Sequence, residues 1–227
     1  MFRDRWKSAA RSDSADAAAP AALPAGPQLH AASAVYSRHS HGLEEFFRCL
    51  EGAGGLSILD LAGASQANIN FITDAGHRLY SEDFYRILQT HFQGGDLYAN
   101  QHDLQRAERF LSHSLNFPDS SFDAALLWDT LEYLAPPLLA AAVSRLERIM
   151  KPGGYLLAIF HADEKAQTVP VYSYRIADAG TLLLALRDTR APCQFFNNRA
   201  IEKLFRAFRS VKFFLTRDHL REVIVRR

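Results

Sequence analysis

The stretch from Ser57 to Asn68 constrains this chain more than any other. An apolar run, Ile58-Leu59-Asp60-Leu61-Ala62, ends in the small residues Gly63, Ala64 and Ser65. The amphipathic segment Asn68-Ile69-Asn70-Phe71-Ile72 follows directly. A buried strand, a tight turn and a helix start, in that order, open a nucleotide-binding α/β unit. In such a turn a ligand passes close over the backbone. Glycine permits that approach because it has no Cβ and tolerates positive φ. Here Gly63 stands alone among larger residues.

Around this unit, helical stripes and apolar runs alternate. Leu43, Phe46, Phe47 and Leu50 form a helical stripe closed by Gly52, Gly54 and Gly55. After the first strand (57–62) a helix is expected from Asn68 to Ala75, a strand over His77–Ser81, and a helix carrying Phe84, Ile87 and Leu88. Leu104, Ala107 and Leu111 give another stripe around 100–111, and a regular domain would place a further strand near Phe110–Leu115. Phe117–Ser121 reads as a turn and Phe122–Trp128 as a strand. A long helix starts at Pro136-Pro137 and is stopped by Lys151-Pro152-Gly153-Gly154 before the buried strand Tyr155–Phe160. Residues 163–196 read as an irregular insert, with an extra hairpin around Val169–Arg187. A helix capped by Asn197 or Asn198 follows, and then a closing antiparallel hairpin, Val211–Leu215 with Glu222–Val225. Alternation of this kind requires right-handed crossovers and a mostly parallel, doubly wound sheet with helices on both faces. Ligands then bind beyond the carboxyl ends of its strands.

The 227 residues suffice for one such domain, placed at 35–227. Residues 1–34 carry few large apolar side chains, and their Ala, Ser, Pro and Asp content predicts a disordered tail with Phe2 and Trp6 near its start. The balance of 26 Lys+Arg against 25 Asp+Glu, with no basic stripe interleaved with aromatics, argues against a nucleic-acid partner. No apolar run approaches the roughly 20 residues that span a bilayer, so stable membrane insertion is not expected. Cys49 and Cys193 form no spaced motif and read as reduced thiols of a cytoplasmic protein. His39-Ser40-His41 offers two ligands, too few for a metal site.

Four segments in the right order resemble the class I S-adenosylmethionine-dependent methyltransferases: Ile58-Leu59-Asp60-Leu61, Asn116-Phe117-Pro118-Asp119-Ser120-Ser121-Phe122-Asp123, Trp128-Asp129-Thr130-Leu131-Glu132-Tyr133-Leu134 and Met150-Lys151-Pro152-Gly153-Gly154. The resemblance covers about residues 43–227 and implies a seven-stranded Rossmann-like sheet ending in an antiparallel hairpin. It implies S-adenosylmethionine as cofactor, held by Asp60 and the turn Ala62, Gly63, Ala64, Ser65 and Gln66. Counting from Asp60, the family's glycine positions hold Ala62, Ala64 and Gln66. The Gln66 side chain either projects into the cofactor site or turns to solvent. Asp83, or failing it Glu82, stands where an acid meets the ribose; either one can instead cap the next helix. The family's adenine-contacting carboxylate is missing, which leaves Ser112 or His113. Trp128 would wall the methionine end, with Asp129 either contacting the cofactor or capping a helix.

The implied reaction is methyl transfer to a small-molecule acceptor. His161, at the end of strand Tyr155–Phe160, is the candidate general base, or else a surface histidine without that role. Tyr172 and Tyr174 either line a pocket or face the core. The glycine-poor turn also admits a second reading, a chain of this fold that has lost catalysis and acts as a binding or regulatory module.

Overall fold

The computed structural model describes residues 35–163, 165–216 and 218–227; the tail expected over 1–34 lies outside the described residues. The chain begins with β1 (Val35–His39) and α1 (His41–Leu50), whose first turn is capped by the Ser40 hydroxyl accepting from Leu43 N–H at 3.1 Å. The nucleotide-type unit follows as β2 (Ser57–Asp60) and α2 (Gln66–Asp74). Ser65 caps α2, so the helix starts two residues before the expected Asn68. Next come β3 (Arg78–Ser81), α3 (Phe84–His91), α4 (Leu97–Asn100) and α5 (Leu104–Ser114). β4 (Phe122–Trp128), a 3-10 turn (Thr130–Tyr133), α6 (Pro136–Ile149) and β5 (Met150–His161) complete the central layer. The last part comprises β6 (Val169–Asp178), β7 (Thr181–Arg190), α7 (Asn198–Leu204), β8 (Ser210–Leu215) and β9 (Leu220–Arg226).

The main sheet has six strands in the order β3-β2-β4-β5-β9-β8. The first four run parallel, and β9 and β8 close it as an antiparallel hairpin. The expected doubly wound architecture is present with one strand fewer than the expected seven. The strand placed near Phe110–Leu115 is absent because that segment is helical. Asp103 caps α5 through Gln105 and Arg106, and the stripe of Leu111, Phe110 and Ala107 runs on to Ser114. The buried Phe110 ring packs edge-on against Phe84 of α3, with centroids 5.0 Å apart. Burying an aromatic ring between two helices outweighs pairing a short strand at the sheet edge.

The hairpin expected around Val169–Arg187 is present and slightly longer, so most of the stretch 163–196 is regular structure rather than irregular. β6 and β7 pair over Val169–Arg190, and β7 also pairs with β1, which makes a separate three-stranded sheet ordered β1-β7-β6. Two apolar clusters sandwich the main sheet. One gathers α3, α5, α6 and α7 against it. The other joins α1 and α2 to the small sheet through Phe46, Ile72, Trp128, Tyr174, Ile176 and Leu184. The β6–β7 hairpin therefore lies on the same face as α2, beside the carboxyl ends of β2 and β4.

Candidate functional site

The turn after β2 is closed from within. Asp60 is fully buried. Its Oδ1 accepts from Ala62 N–H at 2.9 Å and from the Trp128 indole N–H at 2.7 Å, and its Oδ2 accepts from the Asn68 amide at 2.8 Å. Burial drives the Asp60 carboxyl above the ordinary carboxylate range, against the lowering effect of those three donors. Beyond it the backbone meets the end of β3 directly. Gly63 N–H donates to Glu82 O at 3.1 Å, Phe84 N–H donates to Leu61 O at 3.2 Å, and Ala62 bridges to Asp83. Gly63 sits at φ 88° with the Asp83 side chain 3.1 Å from where a Cβ would be, so this is a glycine that the turn needs. Ala64 is exposed, and Ser65 is occupied as the helix cap. Gln66 turns outward, its amide donating to Asn70 Oδ1 at 2.7 Å on the exposed face of α2.

The other expected contacts are also engaged within the protein. Asp83 caps α3 through Arg86 N–H at 3.1 Å and pairs with Arg187 of β7 at 2.9 Å. Glu82 takes part through its backbone, its N–H donating to Asp60 O at 2.9 Å. Ser112 is exposed on α5, bonded to Glu108 at 3.1 Å, and is not brought together with the turn. Trp128 is fully buried, adopts a left-handed φ of 55° and stacks flat on Tyr174, with centroids 4.8 Å apart and planes 10° apart. A bulky residue in that region stores strain that its surroundings must hold. Asp129 is buried; its Oδ2 accepts from the Tyr133 hydroxyl at 2.9 Å and from Tyr172 N–H at 3.4 Å. Burial pushes its carboxyl up as well, beyond the lowering effects of His161 and these donors.

The hairpin completes this closure. The Asn68 amide donates to Tyr174 O at 3.2 Å, and its Oδ1 accepts from Ile176 N–H at 2.8 Å, so one buried side chain ties β6 to the first turn of α2. On the far side the Tyr85 hydroxyl donates to Asp188 of β7 at 2.7 Å. Sequence reasoning took Asn68 only as a helix start and did not pair it with β6. Of its two alternatives for Tyr174, the core-facing one is realised. Asp60, Asp83 and Asp129 are thus each engaged within the protein, and an indole–phenol stack lies beside the turn.

A second arrangement lies at the end of β5. Glu132, on the 3-10 turn, accepts from the backbone N–H of His161 at 2.8 Å through Oε1, and its Oε2 meets His161 Nδ1. Both side chains are at least nine-tenths buried. Among the described residues, His161 Nε2 is buried without a hydrogen-bond partner, and His161 lines a cavity of about 200 Å³ with Tyr36, Asp163, Tyr172 and Asp218. Burial opposes a charged imidazole there, but the hydrogen bond and charge of Glu132 prevail and raise the His161 pKa. Burial likewise raises the Glu132 carboxyl. Both groups hold protons more tightly folded than unfolded. Folding stability is therefore expected to fall as pH rises from about 6.5, the unfolded histidine value, through the folded pKa of His161. Urea midpoints compared at pH 6.5 and 8.5 check this: His161→Gln should flatten the slope, and an unaltered slope would contradict the pairing. The spacing of Glu132 and His161 in the sequence gives no signal for the pair.

A family model described as a methyltransferase domain matches residues 31–208. No match was found among curated proteins. Among solved structures, the chain is similar to the 1,6-didemethyltoxoflavin-N1-methyltransferase of Burkholderia thailandensis, solved with 1,6-didemethyltoxoflavin and S-adenosylhomocysteine bound. Identity is 13%, coverage 82% of this chain and 76% of that one, and TM-score 0.46. A SAM dependent methyltransferase from Archaeoglobus fulgidus shows 13% identity, coverage of 82% and 91%, and TM-score 0.47. One from Aquifex aeolicus shows 13% identity, coverage of 81% and 88%, and TM-score 0.46.

Proposed function

Because this chain belongs to the methyltransferase-domain family, whose cofactor is S-adenosylmethionine, we propose that it methylates a small-molecule acceptor held at the end of β5. The observation that carries this reading is the buried Glu132–His161 pair, whose histidine lines the cavity of about 200 Å³ and whose Nε2 is unpaired among the described residues. Glu132 fixes the ring through Nδ1, which leaves Nε2 to exchange a proton with an acceptor's hydroxyl or amine. A cavity of that size suits a small acceptor. The β6–β7 hairpin acts as a cap, which leaves Asn68 and Trp128 when the cofactor cleft is used. The two unbridged cysteines agree with a cytoplasmic setting, and no helix among the described residues is long and apolar enough to cross a membrane.

A second reading is favoured by the filled cleft itself: a permanently capped chain that has kept the fold and given up catalysis. Calorimetry with S-adenosylhomocysteine separates the two. Binding by the wild type supports the enzyme; silence from the wild type, with or without recovery in Asn68→Ala, whose hairpin tie is removed, supports the second reading. For the enzyme, His161→Ala is expected to lower kcat by roughly 10²–10⁴-fold while leaving S-adenosylhomocysteine affinity unchanged. Gln66→Gly should leave that affinity unchanged too, since Gln66 faces solvent.

A further inference from the structure

Away from the cofactor cleft, the corner between β1 and α1 gathers a different chemistry. Among the described residues, His39, His41 and Glu44 are the one set of three metal-type side chains with donor atoms all within 4.8 Å of one another. His39 ends β1, Ser40 caps the helix, and His41 opens α1. Glu44 follows at i+3 from His41, which places the two on one helix face, and the strand end delivers His39 to the same spot. His39 Nε2 lies 3.2 Å from His41 Nδ1. Glu44 Oε2 lies 3.7 Å from the first and 3.8 Å from the second.

Bond lengths of about 2.0–2.2 Å to a tetrahedral zinc ion place neighbouring ligand atoms roughly 3.3–3.5 Å apart. The observed triangle reaches that size with shifts of a few tenths of an ångström. The three side chains are 55%, 60% and 59% exposed, so such shifts meet little resistance. His39 and His41 also line a hollow of about 480 Å³, together with Arg38, Leu215, Thr216 and Asp218.

We propose that His39, His41 and Glu44 bind a divalent transition-metal ion of the zinc class, with its remaining coordination position open towards this hollow. Two imidazoles with one carboxylate select that class over magnesium or calcium, which take oxygen ligands. The sequence shows the two histidines as a pair one ligand short; the first turn of α1 supplies the third. Ser40 N–H donates to Gly180 O at 2.8 Å, and a Cβ at Gly180 would meet the His39 ring at 3.1 Å. A bound ion therefore fastens the point where β1, α1 and the β6–β7 turn meet. This site is independent of the methyl-transfer reading.

The test is calorimetric titration of zinc chloride into the chelator-stripped full chain. One equivalent should bind, and His39→Ala, His41→Ala and Glu44→Gln should each weaken binding by more than the roughly tenfold that loss of even a supporting residue costs. His91→Ala removes the other close imidazole pair, His91 Nε2 to His113 Nδ1 at 2.9 Å, and should leave the affinity unchanged. With cobalt(II) in place of zinc, the visible spectrum should show tetrahedral ligand-field bands without thiolate charge transfer. At a hundredfold excess of zinc over Kd, the melting temperature should rise by roughly 5–10 °C. Binding undiminished in the His39→Ala/His41→Ala/Glu44→Gln triple variant, lost instead in His91→Ala, or carrying a thiolate band would overturn the site.

Discussion

Replacing Arg38 by methionine is expected to destabilise the fold by about 3–5 kcal/mol, the cost of leaving a buried charge without its partner. The stranded group is Glu222 on β9, which is 0% exposed. Its Oε1 accepts from Arg38 Nη1 at 2.6 Å, and its Oε2 accepts from the Gly42 backbone N–H at 2.6 Å. Arg38 is on β1 of the small sheet, Gly42 in the first turn of α1, and Glu222 in the main sheet, so one carboxylate ties three elements together. Gly42 is required there by close approach, because a Cβ would lie 2.8 Å from that of Glu222. Arg38 also pairs with Asp218 at 2.7 Å, but Asp218 is 42% exposed and water replaces much of that contact. Urea denaturation measures the effect. Arg38→Met/Glu222→Leu should recover most of the loss, since removing both charges removes the uncompensated one. A single variant that unfolds at the wild-type midpoint would refute the assignment.

Tyr174→Ala is expected to produce two large effects of opposite character. Truncating a fully buried aromatic costs about 3–5 kcal/mol and removes the stack that holds Trp128 in its left-handed conformation. For a domain of this size that lowers Tm by roughly 6–20 °C. The same change removes the phenol that stacks on Trp128 beside the turn after β2. A ligand that binds an open state sees its affinity reduced by the fraction of molecules that are open, and each 1.4 kcal/mol of closing free energy is worth about tenfold. S-adenosylhomocysteine affinity is therefore expected to rise at least tenfold as stability falls. Asn68→Ala provides the companion measurement: it cuts the two hydrogen bonds to β6, together with the one to Asp60, and keeps the aromatic core. Affinity left at the wild-type value in both variants would show that the hairpin is no barrier.

Much of the fold was legible from local chemistry. β2, β4, β5 and β9 carry apolar runs, and Asp83 and Asn197 cap the helices read after them. β1 went unread because its burial pattern leaves four of five residues exposed, so it carries no alternation, and its pairing partner lies in β7. The extra strand expected near Phe110 failed for the opposite reason. Regularity of the architecture suggested a strand there, while the capped stripe of α5 specified a helix, and local helical chemistry prevailed.

The candidate cofactor residues divide in the same way. The sequence placed Asp60 and Gly63 at one turn, because strand, turn and helix are contiguous there; Asp83 was tied to that turn only by the family resemblance. It left Gln66 either projecting into the cofactor site or turned to solvent, and the fold realises the second. What fills the cleft comes from more than a hundred residues downstream: Tyr174 and Ile176 on Asn68, and Arg187 on Asp83. The choice between an open turn and a capped one, like the meeting of Glu132 with His161 and of Glu44 with the two histidines, was made by tertiary packing. Hydrophobic periodicity and capping act over a few residues and are written in the chain. The direction of a buried polar side chain is set by whichever distant donor or acceptor satisfies it, and only the folded structure brings that partner to it.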